Sequence, residues 1–187
     1  MTAAAFLSRL IAMLDAAGIP HMLAGSFASA YHGTPRATQD IDVVIDPAPG
    51  ALESFVAQVS AAGYYVDADR AHAALAQRNQ FNVIDAGSGW KADLVVRKDR
   101  PFSREEFKRR APATVLGVDV FMASAEDTIL TKLEWAARTD SERQLADVTG
   151  MLGVKGATLD GRYIERWAKD LGVLGLWQRL SGPSQKS

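Results

Sequence analysis

Cysteine is absent from the 187-residue sequence, which excludes disulfides, thiolate nucleophiles and cysteine-ligated zinc. Histidine is scarce. His21, His32 and His72 are scattered without metal-ligand spacing, and each reads as structural. No run of about 18 apolar residues occurs, so no transmembrane helix is expected. The segment Met1 to Leu14 carries Arg9 as its only cation, too little for the basic start of a secretion signal. A cytoplasmic chain with no membrane partner is the expectation. Neither sign of charge is in excess, since 21 Lys+Arg face 22 Asp+Glu for a formal net charge of −1. No global charge therefore draws the chain to nucleic acid. With 48% hydrophobic residues, the length suffices for one buried core, alone or with a small helical appendage.

What the sequence does contain is concentrated near its start. Gly25-Ser26 follows the short apolar run Met22-Leu23-Ala24, and after an interval of thirteen residues Asp40-Ile41-Asp42 heads a second run, Val43-Val44-Ile45. In a strand, residues two apart project from one face with Cα atoms roughly 6–7 Å apart. Two carboxylates so placed repel each other unless they share a cation. Hard oxygen ligands suit Mg²⁺, which takes one or two carboxylates and leaves the rest of its shell to water and phosphate. The pattern points to a metal-bound nucleotide.

Around this motif the apolar spacing alternates between helix and strand. Phe6, Leu7, Leu10, Ile11 and Leu14 predict an amphipathic helix ending near Gly18. His21 to Ala24 reads as a strand, Phe27 to Tyr31 as a small-residue helix, Asp40 to Ile45 as a strand, and Leu52 to Val59 as a helix stopped at Gly63. Asn79 to Asp85 and Trp90 to Val96 predict a hairpin across Gly87-Ser88-Gly89, and Val115 to Met122 a strand or hairpin around Gly117. Between them, Arg97 to Arg110 holds seven basic residues against three acidic, a solvated face or an RNA-contacting patch. From Ser124-Ala125-Glu126-Asp127, a capping-box-like start, the pattern is helical. Trp135, Trp167 and Trp177 read as core. The expected fold is α/β (α+β), with a small mixed sheet flanked by helices in residues 1–122. A helical region packed on that core, 123–181, and a tail, 182–187, complete it.

Gly25-Ser26 with Arg36-Ala37-Thr38-Gln39-Asp40-Ile41-Asp42 resembles the nucleotidyltransferase superfamily signature, and more closely the subgroup of AbiEii-type toxin components. The resemblance spans roughly residues 20 to 152 and is best at the first motif. It implies a nucleotidyltransferase-type sheet. It also implies an enzyme that moves NMP from an NTP to a hydroxyl acceptor with release of pyrophosphate, using Mg²⁺ or Mn²⁺. Asp40, Asp42 and the matching third acid, Asp93 in Lys91-Ala92-Asp93-Leu94-Val95, would hold metal and carry catalysis. Gly25 would admit a phosphate close to the backbone, and Ser26 would donate to it at a helix N-terminus. Lys132 would neutralise the triphosphate, Arg36 would contact phosphate or pair with an active-site carboxylate, and Asp147 matches an acidic position of the subgroup. The implied partners are NTP, an acceptor RNA, protein or small molecule, and an antitoxin protein.

Each position also has a plainer reading. Asp40 and Asp42 suit a strand entry and an exposed strand face, Gly25-Ser26 an ordinary turn, and Asp93 a solvent-facing strand position. Lys132 flanks an apolar stripe where a snorkelling lysine is common. Arg143 and Asp147 have the i, i+4 spacing of a surface ion pair, and Arg36 lies in a turn-rich stretch. Two further functions stay open: transfer to an aminoglycoside-like small molecule, and a non-catalytic nucleotide-sensing or protein-binding module on the same fold.

Overall fold

The computed structural model describes residues 1–38 and 40–182. Gln39 of the motif lies outside the described residues, as does the expected tail from Pro183 onward. Within them the chain forms two compact units, one of Met1–Phe27 with Ala37–Ala123, the other of Ala28–Arg36 with the chain from Ser124 onward.

The first unit is α/β. Its seven-stranded mixed sheet has the order β3-β4-β5-β2-β1-β7-β6. The strands are β1 (His21–Leu23), β2 (Asp40–Ile45), β3 (Tyr65–Val66), β4 (Gln80–Ile84), β5 (Lys91–Val96), β6 (Ala111–Val115) and β7 (Val118–Met122). β2 runs antiparallel to β1 but parallel to β5, and β5 runs antiparallel to β4. Alternation decides the faces. Ile41, Val43 and Ile45 of β2 are buried, in register with the buried Ala92, Leu94 and Val96 of β5. Helices α1 (Ala3–Ala16) and α3 (Pro49–Ala61) supply the matching apolar stripes, Phe6, Leu7, Leu10 and Leu14 from one and Leu52, Phe55 and Val59 from the other. Residues of opposite parity on β2 and β5, Asp40, Asp42, Lys91 and Asp93, stand on the other face and keep some exposure.

Two helices of this unit were not anticipated from the sequence. Helix α4 (Ala68–Gln77) buries only Ala71 and Ala74, so it lacks the large apolar stripe by which helices are read. The charged segment contains helix α5 (Pro101–Lys108), which starts on Pro101 at its first turn and buries Phe102 and Phe107. The expected strand or hairpin around Gly117 is a hairpin, which begins earlier, at Ala111, and turns through Leu116 and Gly117, both at positive φ.

Helix α2 (Gly25–His32) starts in the first unit and belongs to the second from Ala28 on. The second unit is otherwise helical, with α6 (Ala125–Thr139), α7 (Glu142–Lys155), α8 (Gly161–Asp170) and α9 (Leu174–Ser181). Ser124 caps α6 by accepting from the Asp127 amide, and the buried Asp127 takes hydrogen bonds from the Ser124 and Tyr163 hydroxyls. Trp167 and Trp177 are core, as expected, but Trp135 is not. It is 47% exposed, on the α6 face away from Ile129, Leu130, Leu133 and Ala136. No helix among the described residues is long and apolar enough to cross a membrane.

Candidate active site

Parallel pairing of β2 with β5 sets Asp40 opposite Lys91 and Asp42 opposite Asp93. Antiparallel pairing of β5 with β4 then sets Asn82 opposite Asp93. Because the side-chain period of a strand is two, all five project from one face. The sequence-predicted acids are thus brought together at neighbouring strand positions, with two further polar residues among them.

Gly25 and Ser26 reach the same place from β1. Gly25 has φ +56, a left-handed conformation that a side chain disfavours, and a Cβ built on it would lie 1.9 Å from the Asp42 Oδ2. The absent side chain makes room for the Asp42 carboxylate. The Ser26 amide, at the first turn of α2, donates to the same Oδ2 at 3.3 Å. This backbone donor orients the Asp42 carboxylate.

Lys91 and Asn82 are residues of this face that the sequence alone did not reveal. The Lys91 ammonium lies 3.3 Å from Asp40 Oδ1 and 3.2 Å from Asp93 Oδ1. Burial pulls its pKa down, but the hydrogen bonds and charges of Asp93 and Asp40 outweigh that, so Lys91 titrates above the ordinary lysine value. The Asn82 amide donates to Asp93 Oδ1. The i, i+2 spacing of Lys91 and Asp93 was open to inspection, whereas the pairing that aims both at Asp40 is a property of the sheet.

The remaining predicted residues belong to the second unit and gather around Asp147. Its carboxylate accepts from Lys132 Nζ at 2.7 Å, from Arg36 Nε at 2.9 Å and from the Ser29 hydroxyl at 3.3 Å. Lys132 is 4% exposed, so the snorkelling reading is corrected. Asp147 pairs with Lys132 and Arg36 rather than in the i, i+4 bridge its spacing with Arg143 suggested. Burial pushes the Asp147 carboxyl up, while the hydrogen bonds from Arg36 and Lys132 and their charges overcome it and hold it below the usual carboxylate range. Segment 33–34 lies close against α7 here. A Cβ on Gly33 would sit 2.8 Å from the Met151 backbone nitrogen.

Among the described residues no group of three acidic or histidine side chains converges as a ready-made metal cluster. The donor set nonetheless fits Mg²⁺ in kind. Three carboxylates occupy adjacent strand positions on one face, hard oxygen ligands suit that ion, and Gly25 leaves the space that Asp42 uses.

No protein-family model matches the sequence, and no curated protein is similar to it. Solved structures are similar in fold. The antibiotic-resistance factor ANT(2'')-Ia, in complex with adenylyl-2''-tobramycin, matches with a TM-score of 0.62 at 14% identity, over 92% of this chain and 98% of that one. An antigenic nucleotidyltransferase-like protein from Paracoccidioides brasiliensis matches at 0.60 and 16%, over 94% and 87%. The lincosamide antibiotic adenylyltransferase LnuA, bound to lincomycin, matches at 0.55 and 10%, over 79% and 95%. At these identities the likeness is one of architecture, and in architecture the chain has the fold of these nucleotidyltransferases.

Proposed function

We propose that the chain is an Mg²⁺-dependent nucleotidyltransferase that moves NMP from an NTP to a hydroxyl acceptor. The observation that carries this reading is the register of β2 against β5, which gathers Asp40, Asp42 and Asp93 on one face, with Gly25 and the Ser26 amide against Asp42. Asp40, Asp42 and Asp93 are the residues that would hold Mg²⁺, which when bound supplies neutralising charge for the triphosphate. The acceptor hydroxyl attacks the α-phosphate in line, the bond from that phosphorus to the β-phosphate oxygen breaks, and pyrophosphate leaves. Asp93 is the group proposed to take the hydroxyl proton, and Asn82 positions its carboxylate by donating to one oxygen. The Ser26 amide, at a helix N-terminus, holds Asp42 in place and suits a neighbouring phosphate. Arg36 and Lys132, which the resemblance assigns to the triphosphate, both donate to Asp147.

The first reading of the acceptor is a macromolecule, RNA or protein, as in the toxin-type group with its antitoxin partner. The second is a small molecule. The fold neighbours favour it, since one holds an adenylylated tobramycin and another lincomycin. Incubation with each α-³²P-labelled NTP, Mg²⁺, and either an RNA pool or a panel of polyhydroxylated antibiotics separates the two. Label is expected in one pool, with pyrophosphate released in step and both lost in Asp42→Asn. Pyrophosphate release that does not depend on Asp42 would contradict the assignment.

A further inference from the structure

A cation of the chain's own already sits among the carboxylates. Lys91 Nζ bridges Asp40 Oδ1 and Asp93 Oδ1, at 3.3 Å and 3.2 Å. The backbone ladder enforces this position, because Lys91 stands directly across from Asp40 and two residues before Asp93 on the same face. We propose that Lys91 is a built-in counter-cation that a divalent ion has to displace, so that Lys91 sets how tightly the site takes metal. The proposal rests on the reading of these carboxylates as metal ligands.

Charge and geometry both support it. Asp40, Asp42 and Asp93 place three carboxylates on two adjacent strands, and one ammonium offsets only part of their repulsion. The oxygens that Lys91 touches are the hard donors a divalent ion would use, and an ammonium and a metal ion do not share them without strong repulsion. Displacement disturbs little else. A lysine has a flexible four-carbon stem, its side chain is 34% exposed, and Asn82 supplies Asp93 with a second, neutral donor. Lys91 and a divalent ion accordingly compete for the same two oxygens.

The test is isothermal titration with Mn²⁺, without nucleotide, of wild type, Lys91→Met, Lys91→Arg and Asp42→Asn, together with thermal melts of each with and without the ion. Lys91→Met is expected to bind Mn²⁺ on the order of tenfold more tightly than wild type, the scale of removing one competing charge at a half-exposed site. Lys91→Arg is expected to bind no more tightly than wild type. Without metal, Lys91→Met should melt below wild type and recover when saturated with Mn²⁺. Circular dichroism checks each fold, and Lys91→Gln replaces the methionine variant if that one does not fold. Equal affinity in wild type and Lys91→Met, lost in both on Asp42→Asn, overturns the role of Lys91 and leaves the metal site standing. Absence of Mn²⁺ binding in wild type and Lys91→Met alike overturns both.

Discussion

Asp42 and Gly25 compete for one volume. The carboxylate occupies the space where a side chain on residue 25 would begin, so the glycine is as much a requirement of the acid as of any bound phosphate. Gly25→Ala should therefore act twice. It strains a left-handed backbone position, costing about 1–2 kcal/mol, and it drives the Asp42 carboxylate from its place beside the Ser26 amide. Denaturant unfolding should show the first effect, and loss of metal-dependent nucleotide binding the second. A variant that keeps wild-type binding would show that Asp42 has another position from which to act. At this scale the alternation of Asp40 and Asp42 was readable, because side chains two apart in a strand share a face. Asp93 was readable only through resemblance. Lys91 and Asn82 were not read, because their relation to the acids depends on which strands pair and in what register, which local spacing does not encode.

Helices α6 and α7 of the second unit are joined by charge as well as by apolar contact. Lys132 on α6 and Asp147 on α7 are both nearly inaccessible, with side-chain exposures of 5% and 7%, and Arg36 adds a second cation to the same carboxylate. Breaking a buried pair from one side leaves an uncompensated charge and costs about 3 kcal/mol or more. Asp147→Asn should cost on that scale, because it removes the charge that both Lys132 and Arg36 face. Lys132→Met should lose less, since Asp147 keeps Arg36 and Ser29. The pKa of Asp147 is lowered on folding. Its stabilising contribution is thus complete above the unfolded-state value of about 4 and is lost as pH falls through the lower folded value. Urea unfolding at pH 7 and at steps down to pH 3 should find the gap between wild type and Asp147→Asn wide at neutrality and narrowing in acid. A gap independent of pH would mean the carboxylate charge is not what holds α6 to α7. Elements with a large apolar stripe, such as α1 and α3, were legible in the sequence. Helix α4 was not, because alanines bury its face, and α5 was hidden by the charges around Phe102 and Phe107.

For the molecule as a whole, a balanced net charge and a mixed sheet of nucleotidyltransferase architecture favour a site that works through local electrostatics. Its means are a few carboxylates held on paired strands, their mutual repulsion eased by cations, and a backbone amide aimed at one of them. The fold class followed from the alternation of helical and strand-like runs. The sheet order did not, because β5 enters between β4 and β2, and the parallel pairing that assembles the three acids joins segments about fifty residues apart. On the reading proposed above, these acids form a metal-dependent nucleotide site. Isothermal titration of the protein with each of the four NTPs, with and without Mg²⁺, in wild type and in Asp42→Asn, tests it most directly. Binding of at least one NTP that requires Mg²⁺ and disappears in the variant is the expected result. Failure of every NTP to bind, or binding indifferent to Mg²⁺ and to Asp42, would contradict it.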